Sequence, residues 1–334
     1  APELCEDGFL DKVSAGQILE GFAGKRVVVV GDVMLDEYIW GQVNRISPEA
    51  PVMVVDAGRY SHVPGGAANV VNNLCVLGAH ASIIGVIGED EAGRNLVAAL
   101  EAEGADVSGL VTVTDRPTTR KTRIIAHSQQ VVRVDHEKRI PLELHAVEAL
   151  VERFEALTAS ADAVVLSDYQ KGVLAPALIH AAARFAAQGK PVTGNLKPRA
   201  LSADSSITVI TLNLSEASAA MNGEPLDTQE MVHHAGRALL ERTGAAHIVI
   251  TLGQHGLTLY SASSPATPHH VPPREVEVYD SAGAGDTVIS AMTMALVAGA
   301  SPADAVTLAN YAAAEAVKKL GVSTVTREEI LAGF

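Results

Sequence analysis

A chain of 334 residues has room for roughly two ordinary domains, or for one α/β domain with an appendage. The composition is globular, 48% hydrophobic and 19% charged, and a formal charge of −14 excludes the net basic face that nucleic-acid phosphates require. No apolar run reaches the length of a membrane span. Cys5 and Cys75 are the only cysteines, and Cys75 lies inside the apolar run 70–77, so it reads as a buried free thiol. With acidic residues and no basic leader at the N-terminus, these features predict a soluble cytoplasmic protein.

In chain order, residues 12–22 carry apolar positions at helical spacing and Gly24 stops them. Val27, Val28, Val29 and Val30 then run into Gly31-Asp32. Four consecutive valines predict a strand buried on both faces, the kind that helices cover. Asp32 follows its carboxyl end, where open α/β sheets put their ligands, although aspartate also occurs freely in turns. The β-like runs 52–55, 119–125 and 131–134, the last two separated by 127–130, sit between helical segments without alternating with them. They predict a small antiparallel flap with Lys121 and Arg123 on one face by period-two geometry. A flap that closes on a substrate excludes water. Pro64-Gly65-Gly66-Ala67-Ala68-Asn69 leads into a helix ending near Leu77. The glycine pair permits close approach to a polyol, and Asn69 can donate and accept hydrogen bonds there or act as an ordinary cap. A second buried strand (83–87) and a helix (93–102) follow.

From Leu142 the alternation is regular. Helices over 143–159, 176–188, 228–243, 286–298 and 302–320 accompany strands over 163–166, 191–195, 208–212 and 247–251, which predicts a parallel sheet with helices on both faces. Asp32, Asp168, Asn213 and Gly253 each follow a strand, so they converge on one rim. Residues 261–273 read as a Pro/Ser-rich loop.

The stretch Asp280-Ser281-Ala282-Gly283-Ala284-Gly285-Asp286-Thr287 opens the helix 286–298. Small residues around two glycines let the backbone approach a ligand, and the helix start aims N–H groups and its positive dipole end at an anion. Asp286 beside such an anion suggests a base that takes a proton, though acidic residues also occur in first turns for the dipole alone. Other phosphate and cofactor motifs fail. Gly189-Lys190 is followed by Pro191 and cannot close a Walker A loop, Gly283 and Gly285 have Val288 where a dinucleotide fingerprint needs its third glycine, and no zinc-binding spacing occurs.

With Gly65-Gly66-Ala67-x-Asn69 set beside Asp280-Ser281-Ala282-Gly283-Ala284-Gly285-Asp286, the chain resembles the ribokinase-like carbohydrate kinases of the PfkB family, Ser281 replacing the usual threonine. The likeness extends from about Val27 to Val325. Gly31-Asp32-Val33-Met34-Leu35-Asp36-x-Tyr38 and Arg45-Ile46-Ser47-Pro48-Glu49-Ala50-Pro51-Val52 narrow it to kinases of heptose 7-phosphate in lipopolysaccharide core synthesis. Many of these are fused to an adenylyltransferase with a His-x-Gly-His motif, which residues 1–334 do not contain, so the likeness is to the free-standing kinase. The resemblance implies a three-layer α/β/α fold over residues 1–334 with a lid from about 38–62 and 117–135, and an ATP-dependent transfer to the anomeric hydroxyl. It implies sugar contacts at Asp32, Asn44, Gly65, Gly66 and Asn69, and ATP placement by Asn213 and Glu216, with Mg²⁺ held by Glu216 through water. Thr251, Gly253, Gly256 and Asn310 would line the nucleotide, Gly283, Ala284 and Gly285 would form an anion hole, and Asp286 would be the base. Asn195-Leu196-Lys197 stands where the family often shows Asp-Pro-Lys. A substrate phosphate would need cations, for which Lys121, Arg123 and Lys171 are the candidates. The flap has too little chain to bury its apolar face, which predicts a homodimer through the lid. A monovalent cation, a different sugar and a non-catalytic sugar-binding role all stay open.

Overall fold

The computed structural model describes residues 10–127, 129–202 and 207–334. Cys5 and the acidic N-terminus therefore lie outside the described residues, as does Ser128 of the expected connection 127–130, of which 129 and 130 belong to β7. The strands in chain order are β1 (Arg26–Gly31), β2 (Val33–Ile46), β3 (Met53–Gly66), β4 (His80–Gly88), β5 (Asp106–Val113), β6 (Arg120–Ala126) and β7 (Gln129–His136). They continue as β8 (Ala163–Ser167), β9 (Val192–Asn195), β10 (Val209–Asn213), β11 (His247–Thr251), β12 (Leu257–Ser261) and β13 (His269–Val271). The helices are α1 (Lys12–Glu20), α2 (Ala67–Val76), α3 (Glu91–Ala102), α4 (Leu144–Thr158) and α5 (Pro176–Ala186). After them come α6 (Leu214–Ala220), α7 (Gln229–Thr243), α8 (Ala284–Val297), α9 (Pro302–Ala316) and α10 (Arg327–Gly333).

Nine strands form the large sheet, in the order β13-β12-β11-β10-β9-β8-β1-β4-β5. Its pairs are parallel except β11 with β12 and β12 with β13. The four valines of β1 explain its central place. Val27 and Val29 pack with α1, α2, α3, α8, α9 and α10 on one face, while Val28 and Val30 pack with α4, α5, α6 and α7 on the other. All four are 2% exposed or less, and complete burial of such side chains contributes roughly 1.5–3 kcal/mol each.

The small sheet has the order β3-β2-β6-β7. It consists of two antiparallel hairpins, β2 with β3 and β6 with β7, whose inner strands β2 and β6 run parallel. The register places Asp36 opposite Lys121 and Tyr38 opposite Arg123, so these four share a face. β2 leaves β1 through Asp32 alone, which ties the small sheet to the rim of the large one.

Six elements go beyond the strands and helices read from the sequence: β2, β5, α6, β12, β13 and α10. Most of the expected loop 261–273 is a connection, but 269–271 pairs along β12. An edge strand of three residues has no periodicity to announce it; the neighbour supplies its hydrogen bonds.

Candidate active site

The stretch 280–287 forms the expected helix start. Gly283 caps α8 with φ 81°, a left-handed conformation natural to glycine, and a Cβ there would press to 3.0 Å from Asn69 Nδ2. Asp280 holds the preceding loop: Oδ1 accepts from Ala282 N at 2.9 Å and Oδ2 accepts from Gly321 N at 3.0 Å. Ala284 N donates to Ser281 O at 3.2 Å. Of the three residues expected to form the anion hole, Ala284 thus has its N–H engaged within the turn. Gly283 and Gly285 N–H groups have no protein acceptor among the described residues.

Asp286 is 5% exposed in the first turn of α8. Asn69 Nδ2 donates to its Oδ2 at 2.8 Å and the Tyr169 hydroxyl donates to its Oδ1 at 2.7 Å. Burial pushes its pKa up to about 6, against the opposing pull of these two hydrogen bonds. A carboxylate poised near neutrality can exchange a proton with a bound hydroxyl. Behind it, Asn73 Nδ2 donates to Asn69 O at 2.9 Å, and Thr287 Oγ1 donates to Asn73 Oδ1 at 3.1 Å. α2 and α8 are therefore locked together around the base.

Several expected sugar contacts have other partners. Asp32 is 1% exposed, and its carboxylate accepts from the backbone N–H groups of Tyr169, Lys171 and Val173 at 2.8, 2.9 and 3.1 Å. The side chain expected at a hydroxyl instead clasps the loop after β8, and burial raises its pKa despite those bonds. Asn69, fully buried, donates its side-chain N–H to Asp286. Gly65 and Gly66 close β3 rather than form an open turn. A Cβ at Gly65 would stand 2.0 Å from Asp36 Oδ2, and one at Gly66 2.6 Å from Asp32 O, so both glycines admit the chain's own atoms. Asn44 lies exposed at a register irregularity of β2, eight residues beyond Asp36, which places it roughly 25 Å along the strand from the rim.

The cations separate as well. Arg123 pairs with Asp36 and lies over the Tyr38 ring. Lys171, 7% exposed, pairs with Glu137 at 2.5 Å, so this expected phosphate ligand is neutralised beneath the surface. Lys121 has no carboxylate within 4 Å among the described residues; it is half-buried, with Nζ 5.8 Å from the centre of the Tyr169 ring. Desolvation lowers its pKa.

On the other side of the rim, Asn213 caps α6 in a reciprocal box with Glu216: Oδ1 accepts from Glu216 N at 2.9 Å and N donates to Glu216 Oε2 at 3.0 Å. Lys197 donates to Glu216 Oε1 and, at 3.4 Å, to Asn195 Oδ1. A cavity of about 420 Å³ opens beside α6, lined by Leu214, Val232, Leu252, His255, Thr258 and Pro273 among others. Thr251 ends β11 opposite Asn213, and Gly253 and Gly256 turn that strand into β12. Asn310 stays behind the wall, its Nδ2 donating to Pro272 O at 2.9 Å.

Three positions of the candidate site escaped the sequence reading. Asp36 was part of a quoted motif without a role, and the conspicuous Gly65 was the trace of its carboxylate. Tyr169 stands between the selected Asp168 and Lys171, but nothing in a sequence shows an aromatic reaching a carboxylate 117 positions away. Asn73 lies one turn beyond Asn69, a spacing that could have suggested the pair.

A buried carboxylate at a glycine-rich helix start, basic side chains on the small sheet and a cavity beside α6 make up the candidate site. The chain belongs to the pfkB family carbohydrate kinases, matching that family over residues 25–329, and is a phosphotransferase acting on a sugar hydroxyl. Among similar proteins, the bifunctional protein HldE of Pelobacter propionicus is 41% identical over 323 residues, covering 96% of this chain and 66% of that protein. HldE of Caulobacter vibrioides is 44% identical over 313 residues, covering 93% and 64%. The chain thus spans just under two thirds of the length of these relatives. The fold is ribokinase-like. Escherichia coli phosphofructokinase-2 in complex with substrates and products matches with a TM-score of 0.75 at 21% identity, over 92% of this chain and 97% of that one. Arabidopsis thaliana ribokinase complexed with ribose and ATP matches at 0.71 and 21% identity, over 93% and 98%.

Proposed function

We propose that the chain transfers the γ-phosphoryl group of MgATP to the anomeric C1 hydroxyl of D-glycero-D-manno-heptose 7-phosphate, giving the 1,7-bisphosphate for ADP-heptose synthesis. The observation that carries this reading is the heptose-kinase likeness of residues 31–52, supported by 41–44% identity to the HldE proteins across nearly the whole chain. The half-buried, unpaired Lys121 on the lid side supports a substrate that brings its own phosphate.

The sugar binds between the small sheet and Asp286, with Asp36 accepting hydroxyl protons in the space that Gly65 leaves it. Lys121, joined by Arg123, holds the distal phosphate. ATP lies across the rim, its base in the cavity beside α6 and its phosphates toward α8. Mg²⁺ arrives on the nucleotide, where phosphate oxygens and one or two carboxylates suffice to hold it. Glu216 is the carboxylate on that side, acting through water because both of its oxygens already accept hydrogen bonds. Asp286, ionised above about pH 6, takes the proton of the C1 hydroxyl, and the freed oxygen attacks the γ-phosphorus in line as ADP leaves. The N–H groups of Gly283 and Gly285 face the charge that builds on the transferring group. Lid closure removes water, and a second copy of this chain covers the lid's apolar residues, making a homodimer.

A phosphate-transfer screen of sugars and sugar phosphates, with products mapped by phosphorus NMR, tests the substrate. Heptose 7-phosphate is expected to be preferred and to gain its phosphate at C1, and equally efficient use of an unphosphorylated hexose contradicts the assignment. Asp286→Asn is expected to lower kcat by roughly 10²–10⁴ while both substrates still bind.

A further inference from the structure

Both oxygens of Asp286 accept hydrogen bonds from the protein itself. Asn69 Nδ2 is anchored through Asn73 and α2, so its bond to Oδ2 is fixed. Tyr169 is the other donor, at 2.7 Å from Oδ1. A base that deprotonates a sugar hydroxyl must offer that hydroxyl an oxygen at hydrogen-bond distance. With Oδ2 held by Asn69, the free seat is the one the phenol fills, and a phenolic O–H donates as a sugar O–H does.

We infer that Tyr169 is a positioning residue that stands in for the acceptor hydroxyl on Asp286, keeps water off the base, and swings aside when sugar and nucleotide are both bound. This rests on Asp286 being the base proposed above. The backbone of Tyr169 is pinned by its N–H bond to Asp32, so the movement is a side-chain rotation. Two ammonium groups lie near its ring, Lys121 of β6 at 5.8 Å and Lys197 of the loop after β9 at 5.4 Å. A sugar phosphate drawing Lys121 away removes one of these contacts, and nucleotide phosphate drawing Lys197 removes the other. The seat thus empties when both substrates are present. Before that, a water at the same place would pass its proton to Asp286 and its oxygen to the γ-phosphorus, releasing ADP and inorganic phosphate without product.

Tyr169→Phe removes the hydroxyl and leaves space for one water. Sugar-independent ATP hydrolysis is expected to rise at least about tenfold, a small part of what a positioned base contributes. The charged groups facing Asp286 are Lys197 and Asp36, with Lys121 and Glu216 facing Tyr169, and all remain in the variant. Loss of the phenol's hydrogen bond therefore moves the acid limb of kcat/KM for sugar to higher pH, because that limb reports the free enzyme. The acid limb of kcat, which reports the ternary complex, stays in place. Unchanged hydrolysis, or a limb that moves in both profiles or in neither, overturns the inference. If Asp286→Asn abolishes transfer while Tyr169→Phe shows no such change, the placeholder fails and the base stands; if Asp286→Asn transfers normally, the base assignment itself fails. A measurement on the unaltered protein covers a variant that folds poorly: the ring-carbon NMR resonance of Tyr169 is expected to shift when sugar phosphate and a non-hydrolysable ATP analogue are added together, and an unmoved resonance overturns the inference.

Discussion

Asp286 joins chemistry and stability in one side chain. Folded, it keeps its proton up to about pH 6, whereas an exposed aspartate releases it near 3.8. Between these values the folded state binds more protons than the unfolded state, so this group's contribution falls as pH rises. Roughly two pKa units correspond to about 3 kcal/mol, present below pH 4 and lost by pH 7. Asp286→Asn does not titrate. Its stability relative to the wild type, read from urea midpoints, is expected to improve by about that amount between pH 4 and pH 8, and a difference that stays flat with pH argues against a buried base. The motif around Asp286 could be read directly from small residues and a carboxylate at a helix start. Its hydrogen-bond donors could not, since Asn69 and Tyr169 come from 217 and 117 positions away.

Among the elements, the hairpin from β11 to β12 lines the cavity proposed for the nucleotide. Gly256 has φ 81°, and a Cβ there would stand 2.1 Å from Val271 O on β13, whereas Gly253, at φ 58°, has no atom near its missing Cβ. Gly256→Ala is expected to destabilise the protein by at least about 2 kcal/mol and to raise KM for ATP more than KM for sugar, because it pushes β13 and Pro273 off the cavity wall. Gly253→Ala carries only the strain of the left-handed conformation, roughly 1 kcal/mol. Thermal melts and KM values of the two variants separate packing from strain. The sequence marked both glycines alike; the register of β12 against β13 tells them apart.

At the scale of the molecule, the small sheet leaves Tyr60 67%, Ile46 62% and Val134 53% exposed. Such apolar area on a four-stranded sheet fits a second lid. Light scattering at micromolar concentration is expected to give twice the monomer mass, and Tyr60→Glu with Val134→Asp to halve it; a monomeric wild type rules the clasp out. No helix among the described residues is long and apolar enough to cross a membrane.

The layered α/β architecture, the rim at the strand ends and the glycine-rich helix start at 280–287 followed from the sequence alone, because hydrophobic period, glycine placement and helix polarity are local properties. Contacts between distant segments were left to the tertiary structure. It gave Asp32 the backbone N–H groups after β8 as partners, buried Lys171 against Glu137 and set the buried Asp36 against Gly65. It also put the Tyr169 hydroxyl on Asp286. A carboxylate or an ammonium looks the same in sequence whether it meets solvent, substrate or its own chain, and only packing settles which partner it has.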